Sequence, residues 1–127
     1  MSKAKAYAAD SAQEKLEWRL TQFPACMLCG ATAGAFPLAV HEIERRGHSP
    51  TRWANVANYL TCCVNCHEGP LATMPHAEQL AWKMLRDPDC YDLEAWLRIK
   101  DPEMRAPHRV TQAEVDNFIR KLRLNQR

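Results

Sequence analysis

The chain is 127 residues long, which suits one domain spanning 1–127, and its 46% hydrophobic and 25% charged residues match a soluble globular protein. No run approaches the ~18 apolar residues of a membrane-spanning helix, so an integral helical membrane protein is excluded and no membrane partner is expected. A formal net charge of +2 excludes a polycation, so any nucleic-acid contact must rest on a local patch.

Residues 1–9 are small, polar and basic and read as a loose tail. Ser11 with Glu14 has the form of a capping box, which predicts a helix over about 11–22. Leu16, Leu20 and Phe23 would face inward, with Trp18 at the margin, and Pro24 stops the helix. Cys26 and Cys29 follow as a Cys-x-x-Cys pair, and Gly30 and Gly34 keep the chain turning. Phe36 to Val40 reads as a short strand delivering His41. Residues 44–54 form a loop carrying Arg45, Arg46, His48, Arg52 and Trp53. Tyr59 to Cys62 is a short strand or turn, and Val64 to Glu68 opens a helix that Gly69-Pro70 breaks. Helices are predicted at Ala77 to Arg86, with Leu80, Met84 and Leu85 apolar, and at Tyr91 to Ile99. Residues 101–109 form a Pro-containing linker. Thr111 with Glu114 is a second capping box, opening a helix of about 112–124 with Val115, Phe118, Ile119 and Leu122 on one stripe.

The chemistry lies between residues 24 and 70. Cys26 and Cys29 form one knuckle, and Cys63 and Cys66 form another. Two such pairs offer the four sulfurs that Zn²⁺ prefers in a closed structural site. The competing readings are disulfides or buried thiols, but Met1 to Leu20 has no apolar run, so no secretory leader is expected, and the reducing, cytoplasmic setting this implies would disfavour disulfides. Cys62 and Cys90 read as spare or buried thiols.

Between and after the pairs stand His41-Glu42-Ile43, Asn58 and His67, in the pattern Cys-x2-Cys … His-x-Ile … Asn-x4-Cys-x2-Cys-His. This resembles the HNH endonuclease family, the ββα-metal nucleases, over about 26–67. The string His-Glu-Ile followed by arginines is similar to small phage and bacterial members. The resemblance implies an α+β, mostly α fold: a zinc-clamped ββα-metal core at 24–70, an N-terminal helix, and a helical extension over about 71–125. It implies a metal-dependent DNA endonuclease that nicks or cuts double-stranded DNA. Catalytic residues would be His41, Glu42, Asn58 and His67. Cys26, Cys29, Cys63 and Cys66 would hold structural zinc, and His41 and His67 a separate catalytic divalent cation (Mg²⁺, Mn²⁺ or Ni²⁺). Asn58 would orient the strand, although it can also be read as a cap or turn residue, and Asn55 competes with it. One alignment makes His41 a metal ligand and Glu42 the base or a further ligand; another makes His41 the base.

Arg45, Arg46 and Arg52 would hold DNA phosphates, since arginine suits phosphate recognition. A homodimer is attractive for cutting both strands, and the family setting suggests phage packaging or restriction in a bacterial or phage-infected cell. The rival reading is a catalytically inactive zinc module of the same shell that binds nucleic acid or a protein. His48, His76 and His108 receive no chemistry. The basic residues Arg120, Lys121 and Arg123 read as a solvated helix face rather than a second DNA contact.

Overall fold

The computed structural model describes residues 3–32, 38–44, 55–107 and 109–125, with residues 3–11 described by backbone alone. Arg45, Arg46, Arg52, His48, Trp53, Gly34 and His108 lie outside the described residues. Among the described residues no helix is long and apolar enough to cross a membrane.

Among the described residues the fold is mostly helical around one two-stranded sheet. Helix α1 spans Lys3–Gln22. Strand β1 is Leu38–Glu42, and strand β2 is Tyr59–Cys63 after a 3-10 turn at Val56–Asn58. Then come α2 at Val64–Glu68, α3 at Pro70–Thr73, α4 at His76–Arg86, a second 3-10 turn at Pro88–Cys90, α5 at Leu93–Lys100 and α6 at Gln112–Asn125.

β1 and β2 pair antiparallel, with Leu38 opposite Cys63, Val40 opposite Thr61 and His41 opposite Leu60. Successive side chains of a strand point to opposite faces. His41 and Leu60 therefore lie on one face, and Glu42, Tyr59 and Thr61 on the other. α1 covers the second face, where the Trp18 and Tyr59 rings meet edge-on at 5.5 Å. α2 follows β2 directly and packs on both strands. The helical extension closes the remaining sides, with α4 packed along α6.

α1 ends at Gln22 as expected but corrects the sequence expectation at its start and in its inward face. It starts at Lys3 rather than near Ser11, because the alanine-rich run over residues 4–9 has high helix propensity. Trp18 is buried, whereas Leu16 and Leu20 are 42% and 60% exposed. The inward face was set by the large indole, which stacks under the ammonium of Lys83 at 4.9 Å. β1 also runs two residues past Val40, so His41 lies within the strand rather than beyond it.

Lys83 fastens α4 to the hairpin. Its side chain is fully buried, donates to the Tyr59 carbonyl at 2.7 Å and pairs with Asp87 at 3.2 Å. Burial pulls its pKa below the ordinary lysine value, and Asp87 pulls it back up in part. The Thr111–Glu114 box forms as expected: Glu114 N–H donates to Thr111 Oγ1 and Thr111 N–H to Glu114 Oε1, each at 3.2 Å. Val115 and Ile119 of its helix are buried.

Candidate functional site

Two tight turns bring four sulfurs together. After Cys29 the chain reverses at Gly30, whose φ of +80° is the left-handed region that glycine adopts without strain. Gly30 N–H donates to the Cys26 carbonyl at 2.9 Å, and Met27 N–H donates to the Thr61 carbonyl at 2.9 Å, so the first knuckle rides on β2. Arg86 of α4 adds a bond from Nε to the Met27 carbonyl at 3.1 Å. The second knuckle is the junction of β2 and α2. Cys63 is the N-cap of α2, its sulfur accepting from Cys66 N–H at 3.5 Å. Gly69 ends that helix where a Cβ would lie 2.8 Å from the Asn65 carbonyl oxygen.

The ligand atoms of Cys26, Cys29, Cys63 and Cys66 all lie within 4.8 Å of one another, and those of Cys29 and Cys63 are 3.7 Å apart. A tetrahedral zinc–thiolate site, with Zn–S near 2.3 Å, needs sulfurs about 3.8 Å apart. The quartet can thus hold a metal such as zinc. Its electrostatics point the same way. Burial pushes the Cys66 thiol up, and the other three sulfurs add to that rise. Burial also opposes ionisation of Cys26, but the backbone N–H groups of Cys29, Cys63 and Leu28 outweigh it and bring that thiol down to about 7. Four sulfurs this close cannot all ionise without a cation among them. Cys62 points to the other face of β2. Burial pushes its thiol up to about 12, which marks it as an inert core group. Cys90 is half-buried, away from the quartet.

On the face of the hairpin away from α1, His41 of β1 meets His67 of α2. The rings stand edge to face with centroids 5.3 Å apart. His41 is partly buried and His67 is exposed, so the pair opens to solvent. His41 Nε2 is 2.8 Å from Gln79 Oε1, and Gln79 Nε2 donates to the Met74 carbonyl at 2.8 Å.

Asn58 is fully buried and holds the end of β1. Its Oδ1 accepts from Glu44 N–H at 2.7 Å, and its Nδ2 donates to the Glu44 carbonyl at 3.2 Å. Its own carbonyl accepts from Ile43 N–H at 2.9 Å, and Trp96 Nε1 donates to Oδ1 at 3.1 Å. Asn55, by contrast, caps its own turn, accepting from Ala57 N–H at 2.9 Å. The Glu44 carboxylate is buried and pairs with Arg109 at 2.5 Å, while Arg109 stacks over Trp96 at 4.8 Å. His76 touches the same indole edge-on at 5.3 Å. Burial lowers the His76 pKa; Glu44 opposes that fall, and Arg109 and Lys100 reinforce it.

The hairpin brings His41 and His67 together and sets Glu42 on the opposite face of β1. It follows His41 in an extended strand and so projects to the α1 face, where Lys15 pairs with it at 2.6 Å. Sequence reading also passed over Gln79, Glu44 and Arg109. A signal for Gln79 was present: it lies on the buried stripe of α4 with Leu80 and Lys83, and a polar residue at an apolar position asks for a buried partner.

Comparison with family models, with curated proteins and with solved structures finds no match for this chain.

Proposed function

We propose that the chain is a metal-dependent HNH endonuclease that hydrolyses phosphodiester bonds of double-stranded DNA. The observation that carries the reading is the ring-to-ring approach of His41 and His67 on a strand–strand–helix unit whose strand end is clamped by Asn58. In this reading Cys26, Cys29, Cys63 and Cys66 hold structural Zn²⁺, which has no open position for chemistry. His41 and His67 hold the separate divalent cation, Mg²⁺, Mn²⁺ or Ni²⁺. When bound, that ion supplies charge stabilisation to the phosphoryl and leaving oxygens. Asn58 fixes the backbone at Glu44 and so the pose of His41 three residues earlier. Arg45, Arg46 and Arg52, on the segment that follows, are the proposed phosphate contacts. A homodimer would cut both strands, and the setting would be a bacterial or phage-infected cytoplasm, with phage DNA packaging as one context.

One observation favours a second reading. Among the described residues, the cysteine quartet is the one group of three or more His, Cys, Asp or Glu side chains placed to share an ion. A catalytically inactive zinc module that binds nucleic acid or a protein would need nothing more.

Supercoiled plasmid incubated with the zinc-loaded protein separates the two. The nuclease reading expects nicked or linear product with Mg²⁺, Mn²⁺ or Ni²⁺, and a loss of at least about 100-fold in rate for His41→Ala and for His67→Ala, with zinc content unchanged. Intact plasmid under all three ions supports the binding module instead.

A further inference from the structure

Gln79 belongs to α4, outside the hairpin and its helix, yet it makes the contact that decides how His41 is presented. An amide side chain has one donor end and one acceptor end. The Met74 carbonyl can only accept, so it takes the Nε2 end of Gln79, at 2.8 Å. The Oε1 end is then the one that faces His41 Nε2, also at 2.8 Å. An oxygen without a proton leaves the imidazole one option: Nε2 must carry the hydrogen and donate it. Gln79 is 4% exposed, so water does not compete for either end of the amide, and reversing it would set two acceptors against each other at Met74.

We propose that Gln79 is the positioning residue of this site: it holds His41 in the tautomer protonated at Nε2, so that Nδ1 is the nitrogen His41 offers to a divalent ion. A neutral imidazole has one lone pair in its plane, and it sits on the nitrogen without hydrogen. Groups that hold the far nitrogen of a ligating histidine fix both its tautomer and its ring orientation. Gln79 fits that function with a neutral acceptor, and it is itself anchored by backbone, so the His41 ring is held from outside the unit that carries it. The helical extension thereby becomes part of the site rather than a support around it. The ion-binding half of this inference rests on the nuclease reading; the tautomer does not.

The test is a long-range and one-bond ¹H–¹⁵N imidazole spectrum of the zinc-loaded full chain, with Mn²⁺ titration in parallel. Wild type shows a His41 Nε2–H correlation protected from exchange. Gln79→Leu loses that correlation and binds Mn²⁺ roughly 10- to 100-fold more weakly, the range for groups that orient a ligating histidine. Gln79→Glu still offers an acceptor to His41 Nε2 and retains the correlation, even though its second oxygen faces the Met74 carbonyl and costs stability, whereas a merely structural role would lose the correlation in both variants alike. A wild-type His41 proton on Nδ1 overturns the proposal, and needs no variant to be seen. So does Mn²⁺ affinity that Gln79→Leu leaves unchanged. A Gln79-dependent Nε2–H signal with no Mn²⁺ uptake by wild type upholds the tautomer and overturns the nuclease reading.

Discussion

Cys63→Ala is expected to leave the chain without bound zinc and without its cooperative thermal transition. Cys63 has three duties at one position: it supplies a sulfur to the quartet, caps α2, and closes the register of the hairpin opposite Leu38. Structural zinc in small domains contributes about 10–16 kcal/mol of metal-linked folding free energy. That equals or exceeds the roughly 5–15 kcal/mol by which whole domains are stable. Losing a quarter of the ligand set therefore outweighs any single packing change elsewhere in the chain. The neighbouring Cys62→Ala is the control. It removes a buried sulfur from the opposite face of β2, creating a small cavity at a cost on the order of 1 kcal/mol, and retains zinc. Metal content by mass spectrometry under native conditions, with melting curves for both variants, checks the pair. Zinc retained by Cys63→Ala and lost by Cys62→Ala would shift the second knuckle by one residue.

Asn58→Ala is expected to lower stability by roughly 3–5 kcal/mol, because it strands several buried polar groups at once. The Glu44 N–H, the Glu44 carbonyl and Trp96 Nε1 all lose their partner. Each such group costs about 1–3 kcal/mol when left unsatisfied, and partial access to water trims the sum. For a domain of this size the melting temperature should fall by roughly 10–20 °C. Asn58→Asp separates the two halves of the amide: it keeps the acceptor for Glu44 N–H and Trp96 but sets a carboxylate oxygen against the Glu44 carbonyl. An intermediate melting temperature is expected there. A drop of under 1 kcal/mol for the alanine variant would mean that Asn58 is a turn residue whose contacts carry little energy.

How much of this was legible in the sequence depended on whether a feature is fixed locally or by distant packing. The cysteine quartet was legible because each knuckle sets its own geometry in four residues. The Thr111–Glu114 cap was legible for the same reason. The placement of Glu42 was hidden because the strand was ended at Val40; carried through Glu42, the alternation of faces alone puts it opposite His41. The inward face of α1 was misread because leucines were weighed above the indole, and what draws Trp18 inward is Lys83, a buried cation from α4 far along the chain. Gln79, Glu44 and Arg109 escaped for the same kind of reason. Their partners are 38 and 65 positions away, beyond the reach of any local pattern.

In the proposed reading two metal sites of different character share one small chain: a closed one of four sulfurs and an open one at two imidazoles. The most direct test is calorimetric titration of Mn²⁺ into the zinc-loaded protein, with zinc content assayed before and after. One further ion per chain is expected, lost in His41→Ala and in His67→Ala while zinc is retained. A wild-type chain that keeps its zinc and takes up no second ion, or one whose second ion is indifferent to both histidines, would contradict it.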